Sequence, residues 1–226
     1  MRQFPPAGAV FDIGGGNGFV AKAIEDAGFE VALVEPGPTG ARNALRRGLH
    51  SVVCATLEDA AFVPGSMPAV GLFDVVEHMR DDRDFLERVR AQLAPNGRLY
   101  LTVPAYQAFW SQEDVDAGHY RRYSRTSLSN LLLASGFAID FLSGFFRFLL
   151  PAILAVRVVP HRLGLAKSPA PEEAARHMAK QHIPQTGWTR ELLRRFEQGE
   201  LAAIRAQTPL PYGASWLLVA RNAQSR

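Results

Sequence analysis

Alternating glycines follow an apolar run and an acid near the start of the chain. The stretch VFDIGGGNGFV contains Asp12 and then Gly14, Gly16 and Gly18. A glycine turn lets a ligand lie directly against the backbone, because any side chain there would occupy the ligand's volume. The dinucleotide fingerprint needs glycines at relative positions 1, 3 and 6, but Phe19 occupies the sixth position here. The stretch therefore predicts a ligand-binding turn whose glycine spacing differs from that of the dinucleotide fingerprint.

A second acid stands at the end of the next apolar run. EVALV is followed by Glu35, which lies 23 residues after Asp12. At the carboxyl end of a second strand, an acid can accept hydrogen bonds from both hydroxyls of a ribose. The glycine turn and this acid together favour a nucleoside-containing ligand. The alternative is that Glu35 is only a solvated acid in the turn before Pro36.

Acid and base side chains cluster in the segment FDVVEHM. Asp74, Glu77 and His78 are spaced i, i+3 and i+4, which places them on one face if the segment is helical. His78 could then act as a general base, or the three side chains could hold a divalent cation. A third interpretation is that the Glu-His pair only orders the loop.

A later cluster, SQEDVDAGHYRRYS, contains His119, a second candidate catalytic residue, and the adjacent arginines Arg121 and Arg122. Paired guanidinium donors suit carboxylate or phosphate groups of a substrate. Alternatively, the arginines pair with Asp114 and Asp116 and hold the loop in place.

Composition excludes several classes of protein. The 226 residues are 47% hydrophobic and 21% charged, values that exclude disordered and fibrous chains. Cys54 is the single cysteine, and no leader pattern opens the sequence, so we expect a cytoplasmic protein. Residues 1–118 contain 10 Lys and Arg against 16 Asp and Glu, whereas 119–226 contain 15 against 6. The basic half indicates an anionic substrate, a membrane surface, nucleic acid or simply a solvated face.

The elements that must position these residues alternate between strands and helices. Short apolar runs predict strands at 9–13, 30–34, 51–54, 69–73 and 98–103, with GASWLLVAR as a last strand. Helical spacing separates several of these runs, and this alternation is typical of a parallel sheet with crossover helices. The fold class is therefore α/β.

The chain is predicted to form one domain, 1–226, with a lid or cap insertion at 141–187. The apolar run at 141–160 is interrupted by Arg147, Pro151 and Arg157, so it is too short between charges to cross a bilayer. It is interpreted as an interfacial helix or a pocket wall for an apolar acceptor. The alternative is a core strand followed by a buried cap helix or a dimer interface. An amphipathic helix is predicted at 188–206.

The sequence resembles the class I S-adenosylmethionine-dependent methyltransferases, in particular a bacterial subgroup of the type 11/23 kind. The resemblance is carried by VFDIGGGNG, Glu35, LAPNGRLYLTVP, the segment from WSQEDVDAGHYRRYS to LLLASGF, and LPYGASWLLVAR. It implies a Rossmann-like fold: a mostly parallel seven-stranded sheet with helices on both faces and an antiparallel last strand.

The resemblance also implies the cofactor site. Asp12 and the backbone of Gly14, Gly16 and Gly18 would hold the methionine portion of S-adenosylmethionine, and Glu35 would hold the ribose. The positions that would contact adenine are Thr56, Leu57 and Glu58, and those where strand four opens onto the cofactor are Phe73 and Asp74.

Two departures from the family pattern accompany this assignment. Met67 and Pro68 stand where an aromatic-Asp pair is usual, and the first strand lacks the usual preceding helix. Either the start is truncated or the cofactor site is more open than usual.

The implied function is transfer of a methyl group to a small-molecule or lipid-linked acceptor, with S-adenosylhomocysteine as product. Positioning supplies much of the acceleration in such a displacement, and a base helps only when the acceptor loses a proton. His78 and His119 are the candidate bases. The segment with Asp74, Glu77 and His78 also resembles the ExxEH arrangement of the ubiquinone-pathway O-methyltransferases, although metal-free relatives share the Glu-His pair, and no metal is assigned.

Three other functions compete with this one. An NAD(P)-dependent oxidoreductase shares the strand, turn and acid but has a glycine at the sixth position. A nucleic-acid methyltransferase would carry an Asn-Pro-Pro-aromatic segment after strand four, which this chain lacks. A non-catalytic nucleoside-binding protein is the third. We therefore expect no nucleic-acid partner and allow peripheral membrane contact through 141–160.

Overall fold

A seven-stranded sheet organises the protein in the computed structural model, which describes residues 1–165 and 198–223. The strands are β1 (Val10–Ile13), β2 (Val31–Val34), β3 (Val52–Val53), β4 (Met67–Phe73), β5 (Leu93–Pro104), β6 (Phe137–Phe145) and β7 (Ser215–Asn222). Their order is β3-β2-β1-β4-β5-β7-β6. The first five are parallel, and β7 runs antiparallel between β5 and β6. The predicted fold class is confirmed.

Helices cover both faces of this sheet. They are α1 (Phe19–Asp26), α2 (Pro38–Arg46), α3 (Asp82–Gln92), α4 (Gln112–Ala117), α5 (Arg125–Ala134), α6 (Leu150–Ile153), α7 (Val159–Arg162) and α8 (198–205). Buried side chains of α1 and α2 pack with Val10 and Leu33 on one face. Buried side chains of α3 and α5 pack with Leu72 and Leu101 on the other. Helices α1, α2 and α3 thus connect parallel strands as the sequence predicted, whereas the connection between β3 and β4 contains no helix.

The antiparallel β7 is anchored by a tryptophan in the core. Trp216 is fully buried, and its indole N–H donates to the carbonyl oxygen of Tyr123 over 2.9 Å. Its ring also packs against Tyr106, with 5.4 Å between the centroids. Because Tyr106 and Tyr123 bracket the loop after β5, the last strand fixes the ends of the loop that contains His119.

The apolar run at 141–160 is divided between the sheet and a helix. Its first residues, 141–145, complete β6, and the chain then turns at Phe146 into a helical segment that includes α6, a π-helical turn at Leu154–Val158, and α7. The core strand of the alternative is present, but the helical segment after it is largely exposed, with Val158 as its buried residue, and so differs from the expected buried cap helix. Residues 166–187 of the predicted lid and 188–197 of the predicted amphipathic helix lie outside the described residues.

A buried carboxylate ties this turn to α8. Glu200 accepts hydrogen bonds from the backbone amides of Phe146 and Arg147, over 2.7 and 2.8 Å, and pairs with the Arg147 side chain. The anion therefore satisfies donors at the start of the helical segment. In the part of the chain that the structure describes, no helix is both long enough and apolar enough to span a bilayer.

Candidate active site

The glycine turn after β1 presents bare backbone to an open crevice. Gly14, Gly16 and Gly18 all have left-handed backbone, with φ of 72°, 56° and 73°. A Cβ built on Gly16 would meet no atom within 4 Å, so this residue faces open space. Glycine at this position leaves room for a ligand against the backbone.

Two neighbouring glycines are instead required by contacts inside the protein. A Cβ on Gly15 would lie 2.4 Å from the Asp12 carboxylate and 2.2 Å from Leu33. A Cβ on Gly18 would lie 2.8 Å from the Cβ of Ala44 in α2. Gly18, predicted as a cofactor residue, thus lets α1 approach α2. No sequence pattern indicates a role for Gly15, and only the tertiary contact with Asp12 reveals one.

Asp12 lies beneath this turn rather than on its surface. The residue has no exposed area, and neither carboxyl oxygen completes a hydrogen bond of ordinary geometry. Burial, with a further contribution from the negative charge of Glu35, raises the pKa of Asp12 to about 7, and the nearby amide of Ala21 offsets only part of this. Asp12 therefore supports the turn from below.

Glu35 joins the turn after β1 to the turn after β2. One carboxylate oxygen accepts from the amide of Gly16 over 2.9 Å, and the other accepts from the amide of Gly37 over 2.7 Å. Gly40 also approaches Gly16 closely, since a Cβ built on Gly40 would lie 2.9 Å from the Gly16 carbonyl oxygen. Each oxygen keeps a lone pair for a further donor, such as a ribose hydroxyl.

The other predicted cofactor residues follow β3 and β4. Leu57 is buried, the Thr56 hydroxyl donates to Asp59 over 2.8 Å, and Glu58 lies 3.4 Å from Arg88 at the surface. Phe73 ends β4 on the same sheet face as Asp12.

Asp74 follows Phe73 at the strand end in left-handed backbone, with φ of 55°. Although the residue has exposed surface, protein atoms crowd its carboxyl group. This desolvation raises its pKa against the opposing effects of a hydrogen bond with Thr102 and the charge of His119. Carboxyl ends of parallel strands meet at one edge, so Asp74 lies at the same edge as Gly16 and Glu35.

A second cluster lies just beyond β4, where Glu77, His78 and His119 meet. Their donor atoms all lie within 4.8 Å of one another, a spacing that could hold a cation. The two imidazole rings are edge to face, with 4.7 Å between centroids. The Val76–His78 segment is a 3-10 turn rather than an α-helix, and the carbonyl of Glu77 accepts from the amide of Tyr120 over 2.8 Å. This bond brings His119 to the cluster, where the sequence had grouped Asp74 with Glu77 and His78.

His119 is oriented by a buried carboxylate. Nδ1 of His119 lies 2.9 Å from Asp114, whose carboxylate also accepts from Nε of Arg122 over 2.7 Å and from the amide of Ser111 over 2.8 Å. Burial alone would raise the pKa of Asp114, but the bonds from His119 and Arg122 outweigh it and lower the pKa to about 2. With Asp114 ionised, Nδ1 of His119 is the nitrogen that donates to it, which leaves Nε2 as the nitrogen that can accept a proton.

The two arginines hold the loop in place. Arg122 pairs with Asp114, as one sequence interpretation expected, whereas Arg121 pairs over 2.8 Å with Asp82 at the start of α3 and not with Asp114 or Asp116. The Tyr123 hydroxyl donates to the same Asp82 over 2.8 Å. The side chains of this loop thus fix His119 against α3 and the turn after β4.

The remaining two members of the cluster favour their neutral forms. Glu77 has no exposed surface, and burial with the nearby charge of Asp74 raises its pKa to about 8. Burial and the charge of His119 lower the pKa of His78. At neutral pH, Asp114 is therefore the firmly ionised acid beside His119.

The methyltransferase domain family matches this chain over residues 2–140, more than half of its length. The chain belongs to this methyltransferase family. Its fold is the class I S-adenosylmethionine-dependent methyltransferase fold. A structure of such an enzyme from Archaeoglobus fulgidus superimposes with a TM-score of 0.59 over 97% of this chain and 88% of that one, at 17% identity. A methyltransferase structure from Mesorhizobium loti superimposes with a TM-score of 0.57 over 97% of this chain and 94% of that one, at 15% identity.

Curated relatives match a shorter part of the methyltransferase. A ubiquinone biosynthesis O-methyltransferase from Xanthomonas campestris is 30% identical over 104 residues, which are 43% of this chain and 44% of the relative. A mitochondrial counterpart from Schizosaccharomyces pombe is 29% identical over a match that covers 42% of this chain and 37% of the relative. The match thus spans less than half the length of these relatives.

The residues present fit the family's methyl donor, S-adenosylmethionine. Its amino acid portion needs backbone without side chains, and the space over Gly16 offers it. Its ribose needs an acceptor at the carboxyl end of the second strand, where Glu35 keeps unused lone pairs.

Replacing Gly16 with alanine should weaken binding of S-adenosylmethionine by about tenfold or more, because the new methyl group enters the crevice. The variant also places a side chain in left-handed backbone, at a cost of about 1–2 kcal/mol. Gly28→Ala is the matched control, since Gly28 also has positive φ and open space around it but lies after α1. Calorimetry should show the loss of affinity for Gly16→Ala alone, and equal affinities in the two variants would contradict the assignment.

The buried Asp12 should make stability depend on pH. Its folded pKa of about 7 lies above the unfolded value of 3.8, so its stabilising contribution is full below about pH 4 and is lost as the pH rises toward 7. Asp12→Asn should remove this decline, up to about 4 kcal/mol between the two limits. Urea unfolding at pH 5 and pH 8 measures it, with the exposed Asp26→Asn as control. A wild-type slope in Asp12→Asn would refute the burial argument.

Proposed function

We propose that this protein transfers the methyl group of S-adenosylmethionine to a hydroxyl oxygen of a small-molecule or lipid-linked acceptor. The observation that carries the proposal is the pair formed by His119 and Asp114, whose side chains lie 2.9 Å apart. This pair belongs to a buried network near the carboxyl edge of the sheet, where the cofactor residues lie.

A hydroxyl acceptor explains why a base is present. Methyl transfer is an in-line displacement that needs positioning, but a hydroxyl must also lose its proton. His119 can take that proton at Nε2, because Asp114 fixes Nδ1–H and stabilises the imidazolium that forms. His78 packs edge to face against this ring and restricts its rotation.

The named relatives support an oxygen acceptor. Those from Xanthomonas campestris and Schizosaccharomyces pombe are both O-methyltransferases of ubiquinone biosynthesis. Their similarity covers less than half of this chain, so the acceptor of this protein is inferred at the level of a hydroxylated small molecule.

Cofactor binding is assigned to the turns after β1 and β2, at the carboxyl edge of the sheet. The sulfonium group of S-adenosylmethionine supplies the electrophilic methyl carbon. Gly14 and Gly16 offer backbone to its amino acid portion, Glu35 accepts from its ribose, and Asp12 holds the turn from beneath. Phe73 provides apolar surface at the end of β4, and Leu57 is buried in the segment after β3.

The donor cluster of Glu77, His78 and His119 favours a second mechanism for the same reaction. A divalent cation bound there would lower the pKa of a coordinated hydroxyl and replace His119 as the agent of deprotonation. Chelation separates the two mechanisms, since the base mechanism retains full activity in EDTA.

His119→Asn should reduce methyl transfer to catechol, used as a hydroxylated probe, by about 10²–10⁴-fold while leaving S-adenosylmethionine affinity unchanged. Asp114→Asn should give a smaller loss. His50→Asn is the matched control, because His50 is an exposed histidine far along the chain from the site. Full activity in His119→Asn would exclude the proposed base.

A peripheral membrane location on the cytoplasmic side is proposed for a lipid-linked acceptor. Val156 lies in the helical segment after β6 and is 72% exposed, and Leu163 lies just after this segment and is 65% exposed. Arg157 pairs over 2.8 Å with Glu113 and so ties this segment to α4, next to the His119 loop. The segment could thus rest its apolar side on lipid while its other side contacts the acceptor loop.

Cosedimentation with liposomes of anionic and neutral lipid should enrich the wild-type protein and not the Val156→Glu, Leu163→Glu double variant. The double variant should keep its affinity for S-adenosylmethionine, because neither residue lies near the glycine turn. Equal partitioning of the two proteins would refute membrane contact through this segment.

A further inference from the structure

An apolar cavity with a volume of about 200 Å³ lies on the sheet face that carries Asp12. Its wall includes the sheet residues Phe73, Tyr100, Phe141, Leu217 and Val219, together with Val20 of α1. Carbon atoms dominate this wall, and the Tyr100 hydroxyl already donates to the carbonyl oxygen of Phe4. Met1 and Gln3 also line the cavity, which therefore suits a ligand that is mainly hydrocarbon.

The register of the strands places one end of this cavity at the reaction edge. Phe73 pairs with Thr102 of β5, which in turn pairs with Leu217 of β7. Asp74 follows Phe73 directly and interacts with Thr102. Val20 enters the wall from the first turn of α1, two residues after the glycine turn. A molecule held at this edge could thus extend a substituent into the cavity.

The cavity is half open to solvent, and apolar surface exposed in this way often marks a site for an apolar ligand. Dry apolar cavities of about 150 Å³ bind molecules as large as benzene. A cavity of about 200 Å³ accordingly accepts a hydrocarbon group of six carbons or more. Binding there removes apolar surface from water on both the ligand and the wall.

We propose that this cavity binds a hydrocarbon substituent of the acceptor and so selects acceptors that combine a hydroxyl head with an apolar tail. The proposal rests on the proposed methyl transfer, because it assigns the tail of the molecule whose head lies near His119. It adds a specificity site that lies apart from the His119 cluster.

Calorimetric titration with 1-butanol, 1-hexanol and 1-octanol tests the cavity without any turnover. Affinity should rise about fourfold per methylene until the cavity is full, as expected for burial of successive methylene groups. Leu217→Trp fills the cavity from the sheet and should abolish this dependence. Ile204→Trp, which fills it from α8, serves if the first variant does not fold. Leu133→Trp is the matched control, since Leu133 is 58% exposed on α5 on the opposite face.

Methyl transfer to catechol and to 4-butylcatechol then links the cavity to the acceptor. The butyl group should lower KM in wild type and in Leu133→Trp but not in Leu217→Trp, with kcat similar throughout. A chain-length dependence that survives in Leu217→Trp, or that is absent from wild type, would overturn the proposal. Failure of every catechol to accept a methyl group would instead count against the proposed function, while the alcohol titrations still decide whether the cavity binds hydrocarbon.

Discussion

The hydrogen bond from the Gly16 amide to the Glu35 carboxylate is the contact on which the rest of the site depends. It joins the turns after β1 and β2, and the second oxygen of Glu35 accepts from Gly37 to complete the link. The bond forms only if the turn after β1 folds back with positive φ, which glycine adopts without strain. The same geometry leaves the outer surface of Gly16 open. One anion thus shapes the turn and keeps acceptor capacity for a ligand.

Carboxyl groups near the site behave differently because their partners differ. Asp12 and Glu77 are buried without strong donors, so burial raises their pKa values to about 7 and about 8. Asp114 is also buried, but donors from His119, Arg122 and Ser111 lower its pKa to about 2. The result is one firmly ionised acid that orients one histidine. Residue type alone would not separate these roles, since each depends on which donors the fold brings near.

The C-terminal third completes the sheet and surrounds the acceptor side. Trp216 of β7 holds the carbonyl of Tyr123 and so fixes the loop that carries His119. Glu200 of α8 fixes the turn at Phe146, from which the helical segment approaches α4. The apolar cavity lies between these additions and α1. Elements distant in sequence therefore define the environment of the proposed acceptor, whereas the glycine turn and Glu35 belong to the first two strand-helix units.

The sequence by itself determined the α/β fold, the glycine turn and the place of Glu35, because each depends on local periodicity or on spacing within one strand-turn-helix unit. It located the two histidines but could not pair His119 with Asp114 or group it with Glu77, since those contacts require the loop after β5 to meet the turn after β4. It gave no sign that Gly18 also packs against α2, because that contact depends on tertiary packing. It assigned Arg121 to the wrong acid, because Asp82 reaches this loop only through the packing of α3. Local backbone chemistry can be read along the chain, whereas charge partners, burial and cavities arise where distant segments exclude water together.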